Sequence, residues 1–143
     1  MDPQTHTLTL STRGRGLNDI TREVTDFVER LKVAAPGPRT GAITCFIRHT
    51  SASLVVQENA DPAVLRDLAR WMERLAPESD RYEHDAEGPD DMPSHVRAAL
   101  TQTSISIPVV EGSLVLGTWQ AIYLYEHRNR GHRREVVLLY VGR

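Results

Sequence analysis

The spacing of apolar positions changes several times along this chain, and each change marks an element. Residues 5–12 set Leu8 and Leu10 between β-branched and hydroxyl residues at a period of two, which predicts an opening strand with both leucines on one face. His6 shares that face near the terminus and reads as a partly exposed strand residue. Gly14 and Gly16 break the strand. From Ile20 the spacing becomes four, three and four through Val24, Phe27 and Leu31, the pattern of an amphipathic helix. Asn18 or Thr21 is placed to cap its start, and Pro36-Gly37-Pro38 stops it.

Ala42 to Ile47 then reads as a buried strand. Polar residues from Arg48 to Ser51 follow, and after them Leu54-Val55-Val56; the short link Thr50-Ser51-Ala52 predicts a hairpin or a sharp bend. Asp61-Pro62 is a helix cap with a first-turn proline, and Val64, Leu68, Trp71 and Leu75 repeat the helical spacing as far as Pro77. Residues 78–93 turn polar and acidic around Gly88 and Pro89, a long loop of the kind compact domains keep for function. Pro93 opens a short helix from Ser94 to Leu100. Strand patterns return at 104–110, 114–116, 121–125 and 135–141, with turns at Glu111-Gly112-Ser113 and Asn129-Arg130-Gly131-His132. Ile122 and Leu124 alternate with Tyr123 and Tyr125, which predicts a hairpin with one side in the core and the other less buried. Helices early and strands late make this an α+β chain, a single domain over residues 1–143.

Composition narrows the function classes. A chain of 143 residues buries a core without disulfide or metal staples, and 40% hydrophobic with 25% charged residues is ordinary for a soluble domain. A net charge of −2 supplies no global field toward nucleic acid or anionic membrane. No apolar run approaches bilayer-spanning length, and Met1-Asp2-Pro3-Gln4 lacks the pattern of a leader, so a cytoplasmic location is expected. Cys45, the one cysteine, lies in an apolar run and is expected to be a buried, reduced thiol.

Six histidines are present, none spaced as a zinc signature. His49 ends a strand, His84 lies in the acidic loop, and His95 is expected in a helix's first turn, where the positive end of the dipole favours a neutral ring. Three neutral imidazoles can hold Zn²⁺ with an open position; separate structural histidines are the plainer reading of the same spacing. The loop carboxylates read as a solvated run, with Asp90-Asp91 favouring the helix start; Mg²⁺ binding through one or two of them is the functional alternative. Gly117-Thr118-Trp119-Gln120 reads as a bulge or corner with Trp119 packed in the core. Arg128, Arg130, Arg133 and Arg134 form either an exposed basic tip or a phosphate clamp, since guanidinium forks bind phosphate bidentately. No aromatic-glycine signature of an RNA-binding sheet accompanies them, so nucleic acid is not the expected partner.

Taken in order, His49-Thr50-Ser51-Ala52-Ser53, Gln57-Glu58-Asn59-Ala60-Asp61-Pro62, Tyr82-Glu83-His84-Asp85, Ser94-His95-Val96-Arg97-Ala98-Ala99-Leu100 and Gly117-Thr118-Trp119-Gln120 closely resemble the YjbQ family, also called secondary thiamine-phosphate synthase. The likeness runs from about Leu8 to the C-terminus. It implies an α+β fold with a mixed sheet, a homotrimer, and a pocket into which the family's histidines point. By the resemblance His49, His84 and His95 match the motif histidines, as metal ligands or acid–base groups, and Glu58, Asn59, Gln120 and Glu126 match the motif polar residues. Family members read Asn-Ala where this chain has Met92-Pro93, so a polar group is missing there. The implied reaction joins a pyrimidine methyl diphosphate to a thiazole phosphate and releases pyrophosphate, as a secondary activity. Such chemistry needs a divalent cation (Zn²⁺ or Mg²⁺) or basic groups for the leaving group and a flat pocket for the ring, with Thr118, Trp119 and Arg128 as candidate contacts. A non-catalytic module that binds a metal or phosphorylated metabolite is the alternative.

Overall fold

The computed structural model describes residues 4–34, 37 and 39–143. Among them the elements run β1 (Gln4–Ser11), β2 (Gly16–Asp19), α1 (Thr21–Ala34), β3 (Gly41–Ile47), β4 (Ala52–Glu58), α2 (Pro62–Leu75), α3 (Asp91–Leu100), β5 (Ser104–Val110), β6 (Ser113–Leu114), β7 (Gln120–Glu126) and β8 (Arg133–Gly142). The chain is α+β with three helices, as its pattern predicts. Met1 to Pro3, and Pro36 and Pro38 at the end of the first helix, lie outside the described residues.

The strands form two sheets, in the orders β1-β8-β3-β5-β6 and β2-β7-β4. Every ladder between the described strands is antiparallel, where the resemblance implied one mixed sheet. The core lies between the sheets. Ile43, Cys45 and Ile47 of β3, Val136, Leu138 and Tyr140 of β8, and Ile107 and Val109 of β5 face Leu54 of β4 and Ile122 and Leu124 of β7. Val24, Phe27, Val28 and Leu31 of α1 enter the same core, which is what their spacing predicts. Cys45 is fully buried, and burial pushes its thiol up to about 12, so it is an inert core side chain.

Several local expectations change. Neither Asn18 nor Thr21 caps α1; the Asp19 carboxylate accepts from the Thr21 N–H at 2.9 Å. Asn18 instead belongs to β2, a short strand that the two glycines concealed. The β3–β4 link is a bend, not a hairpin, because β3 and β4 lie in different sheets. The same is true of β7 and β8, so residues 127–132 carry the chain from one sheet to the other. Gly131 in this crossing meets the Thr12 backbone where a Cβ would sit. β7 is the central strand of its sheet and is buried on both faces, so Tyr123 and Tyr125 are only 5% and 4% exposed. Residues 117–120 form a turn closed by Gln120 Oε1 accepting from Gly117 N, and Trp119 stands 62% exposed instead of packing in the core. No described helix is long and apolar enough to cross a membrane.

Candidate functional site

The decisive local feature is where α3 begins. Pro93 is not its first residue; the helix starts at Asp91, with Pro93 still inside the turn whose N–H groups need no partner. Asp91 and His95 therefore stand four apart on one helical face, and His95 lies one turn into the helix. The loop before α3 brings His84 onto the same spot. His84 Nε2 is 2.6 Å and His95 Nε2 3.1 Å from a single oxygen, Asp91 Oδ2. The donor atoms of all three residues lie within 4.8 Å of one another.

Two members of this cluster, Asp91 and His95, are held from behind. Asp91 is 2% exposed, and its second oxygen pairs with Arg128 Nη1 at 2.8 Å. Burial alone would raise this carboxyl, but the bond from His84 and the nearby charges of His95 and Arg128 outweigh it and keep Asp91 below its usual range. Arg128 Nε also donates to Asp90 Oδ2 at 2.9 Å, and the Asn129 N–H donates to that oxygen at the same distance. Asp90 and Asp91 are thus buried and bonded, where the acidic run suggested solvated carboxylates. His95 Nδ1 is 2.9 Å from the Thr50 carbonyl. A carbonyl only accepts, so Nδ1 carries a proton and the lone pair of the neutral ring sits on Nε2, facing Asp91. His84 is largely exposed, and the bond to Asp91 raises its pKa.

Two cavities flank the cluster. One, of about 490 Å³, lies between the end of β3 and α3; Phe46, Arg48, His49, His95, Ala98 and Thr103 are among its walls. The other, of about 520 Å³, is walled by the acidic loop, including Asp80, Tyr82, His84, Asp85 and Met92. His95 faces the first and His84 the second, so the cluster stands between them. Met92 puts a thioether on the second wall.

The expected site residues divide accordingly. His84 and His95 come together. His49 reaches the first cavity but not the His84–Asp91–His95 cluster: its Nε2 accepts from the Glu135 N–H at 2.9 Å, which leaves Nδ1 as the protonated nitrogen. Burial, then the charge of Arg134, lowers the pKa of His49 and favours the neutral ring. Glu58, Asn59, Thr118, Trp119 and Gln120 are at the other end of the β4–β7 ladder. Glu58 pairs with Gln120 there, while Ala52 pairs with Glu126 at the near end, six residues or about 20 Å away. They do not back His49 within one chain. Glu126 is fully buried, and Arg128 has its fork occupied by Asp90 and Asp91, so neither offers a free contact to substrate. The basic tip splits as well, since Arg134 is 4% exposed and paired with Glu126. Asp91 is the member of the cluster that sequence reasoning left among the solvated acids. Its signal, a carboxylate four residues before a histidine, appears only once the helix is known to include both.

Comparison with known proteins places the chain in a family. The sequence profile of the family described as UPF0047 protein YjbQ-like matches residues 6–143. A UPF0047 protein of Synechocystis sp. is 50% identical over 132 residues, covering 92% of this chain and 86% of that protein. The UPF0047 protein YjbQ of Salmonella typhimurium is 43% identical over 136 residues, 95% of this chain and 96% of its own. Among solved structures, a YjbQ/UPF0047 family protein of Clostridium acetobutylicum superposes with a TM-score of 0.84 at 31% identity, over 95% of this chain and 99% of that one. A YbjQ-like protein of unknown function from Sulfolobus solfataricus shares the fold, with a TM-score of 0.88 at 24% identity over 99% of each chain. With the profile spanning nearly the whole sequence, the chain belongs to the UPF0047 (YjbQ-like) family.

Proposed function

We propose that this chain is an enzyme that uses a divalent metal ion, best matched by Zn²⁺, held by His84, Asp91 and His95, to act on a phosphorylated small molecule. One observation carries the reading. The Thr50 carbonyl accepts a hydrogen bond from His95 Nδ1–H, so in the neutral ring the Nε2 lone pair points at a carboxylate oxygen that His84 Nε2 also faces. With both rings neutral and His84 Nε2 free of its proton, two imidazole nitrogens and a carboxylate oxygen converge as a ligand set for a cation. A ligating histidine anchored through its other nitrogen to a carbonyl is the usual support of a metal site, and the Arg128 contact does the same for Asp91. Two imidazoles and one carboxylate suit Zn²⁺ better than Mg²⁺, which prefers oxygen donors and water.

When bound, such an ion polarises a phosphoryl oxygen and neutralises a departing pyrophosphate. The chain's own groups do the rest. The first cavity offers the His49 Nδ1–H as a donor, Arg48 as a cation at its wall, and Phe46 with Ala98 and Ala99 as an apolar surface for a ring. With the family resemblance, these features favour thiamine-phosphate synthesis from the pyrimidine diphosphate and thiazole phosphate as an activity, in a homotrimer. Neither nucleic acid nor membrane is needed.

Metal analysis of the purified protein tests the reading. About one Zn²⁺ per chain is expected in the wild type, with loss in His84→Ala/His95→Ala and in Asp91→Asn. Equal metal in all three sinks the ligand assignment. Rescue of a thiamine-requiring strain tests the reaction, and no growth at high expression rules out that substrate pair. Tight binding without turnover would leave a metal- or metabolite-binding module.

A further inference from the structure

Glu126 ends β7 with 0% of its surface exposed, so it cannot meet a substrate, yet its carboxylate is saturated with donors. Oε1 accepts from Thr12 Oγ1 at 2.6 Å and Arg134 Nε at 2.9 Å. Oε2 accepts from Arg134 Nη2 at 2.5 Å and from the Arg128 N–H at 3.2 Å. The two arginines lead in different directions and return to the same cluster.

One arm begins at Arg128. Glu126 holds its backbone, and its guanidinium grips Asp91 Oδ1 at 2.8 Å, which turns Oδ2 toward the imidazoles. The other arm begins at Arg134. Its Nη2 donates to Ser51 Oγ at 3.0 Å and to the Ser51 carbonyl at 3.3 Å. That pins the bend after β3, where the adjacent Thr50 carbonyl orients His95. The residue after Arg134 supplies the N–H that orients His49.

We infer that Glu126 is a positioning residue for the metal centre, one buried carboxylate that aligns Asp91 through Arg128 and His95 through Arg134 and the Ser51 bend. The inference rests on the metal reading above. A purely structural ion pair would behave differently. Buried pairs add little net stability over neutral groups of similar shape, whereas removing one partner strands the other charge. Neutralising both partners therefore separates folding from alignment.

The experiment compares wild type, Glu126→Gln and Glu126→Gln/Arg134→Met by Zn²⁺ titration, by the visible spectrum of the Co²⁺ form, and by thermal unfolding without metal. Glu126→Gln is expected to melt well below wild type and the double variant close to it. Both variants are expected to bind metal 10–100-fold more weakly, the usual cost of removing an outer support, with an altered Co²⁺ spectrum. In metal-free protein, the ring ¹⁵N signals of His95 should lose the wild-type pattern of a protonated Nδ1. A double variant that folds like wild type and keeps its metal affinity and spectrum overturns the inference. Wild type that takes no metal overturns the metal reading instead. The ring signals then decide the positioning role alone: altered signals support it, and unchanged signals overturn it.

Discussion

At the scale of single residues, His127 is a side chain at odds with its surroundings. It is fully buried, its Nε2 is 2.8 Å from Ser53 Oγ, and its Nδ1 has no partner. Burial first, and then the charge of Arg97, pulls its pKa from 6.5 to about 3. The sign of the consequence follows from linkage. Below pH 6.5 the unfolded chain gains a proton that the folded chain refuses until about pH 3, so this contribution is complete above 6.5 and is lost across that window. The slope can reach about 1.4 kcal/mol per pH unit. Urea unfolding of wild type and His127→Gln between about pH 7 and 5 should show a steeper acid-side loss in wild type. Parallel curves would mean that His127 is protonated in the folded protein.

At the scale of elements, α2 is the informative case. Its spacing predicts a helix with Val64, Leu68, Trp71 and Leu75 on one face, and the helix forms with Asp61 as its cap, accepting from the Ala63 N–H at 2.9 Å. The face is not buried. Of its side chains only Met72 is, while Trp71 and Leu75 are 47% and 42% exposed. Cavities of about 270 and 350 Å³ lie against it, both reaching Met72 and Tyr125. Leu31 of α1, by contrast, is 3% exposed in the shared core. Leu31→Ala should therefore cost about 3 kcal/mol and Leu68→Ala less than about 1.5 kcal/mol, by urea unfolding. Equal costs would show that α2 seats more deeply. Periodicity thus reports that a helix has an apolar face without saying how closely that face is covered. Pairing is hidden for a related reason: β3 and β4 look like a hairpin by proximity, but β3 pairs with β8 and β5, partners set by how the two sheets close over one core. The site was legible to the same degree. His84 and His95 could be named from sequence, yet Asp91 could not, because a proline in the first turn hid the true start of α3.

At the scale of the whole molecule, the outer face of the five-stranded sheet is the argument for self-association. Ladder register places Ala42, Thr44 and Phe46 of β3 beside Val137, Leu139 and Val141 of β8, and beside Ser104, Ser106 and Pro108 of β5. These side chains carry no charge, and Phe46, Val110 and Val141 are 45%, 48% and 36% exposed. An uncharged face with several exposed apolar side chains is the kind of surface that marks a contact. The proposed homotrimer gives that surface an occupant, and Phe46, which also walls the first cavity, would place the proposed metal centre close to the junction. The prediction is a solution mass of about three times the 16.1 kDa chain by sedimentation equilibrium. Val141→Asp, which sets a carboxylate on this face away from the proposed metal ligands, should shift the mass toward one chain while circular dichroism stays native. A wild-type mass of one chain would remove the trimer from the proposal. A trimer that survives Val141→Asp would move the interface to another face, for which the exposed Trp119 turn is the next candidate.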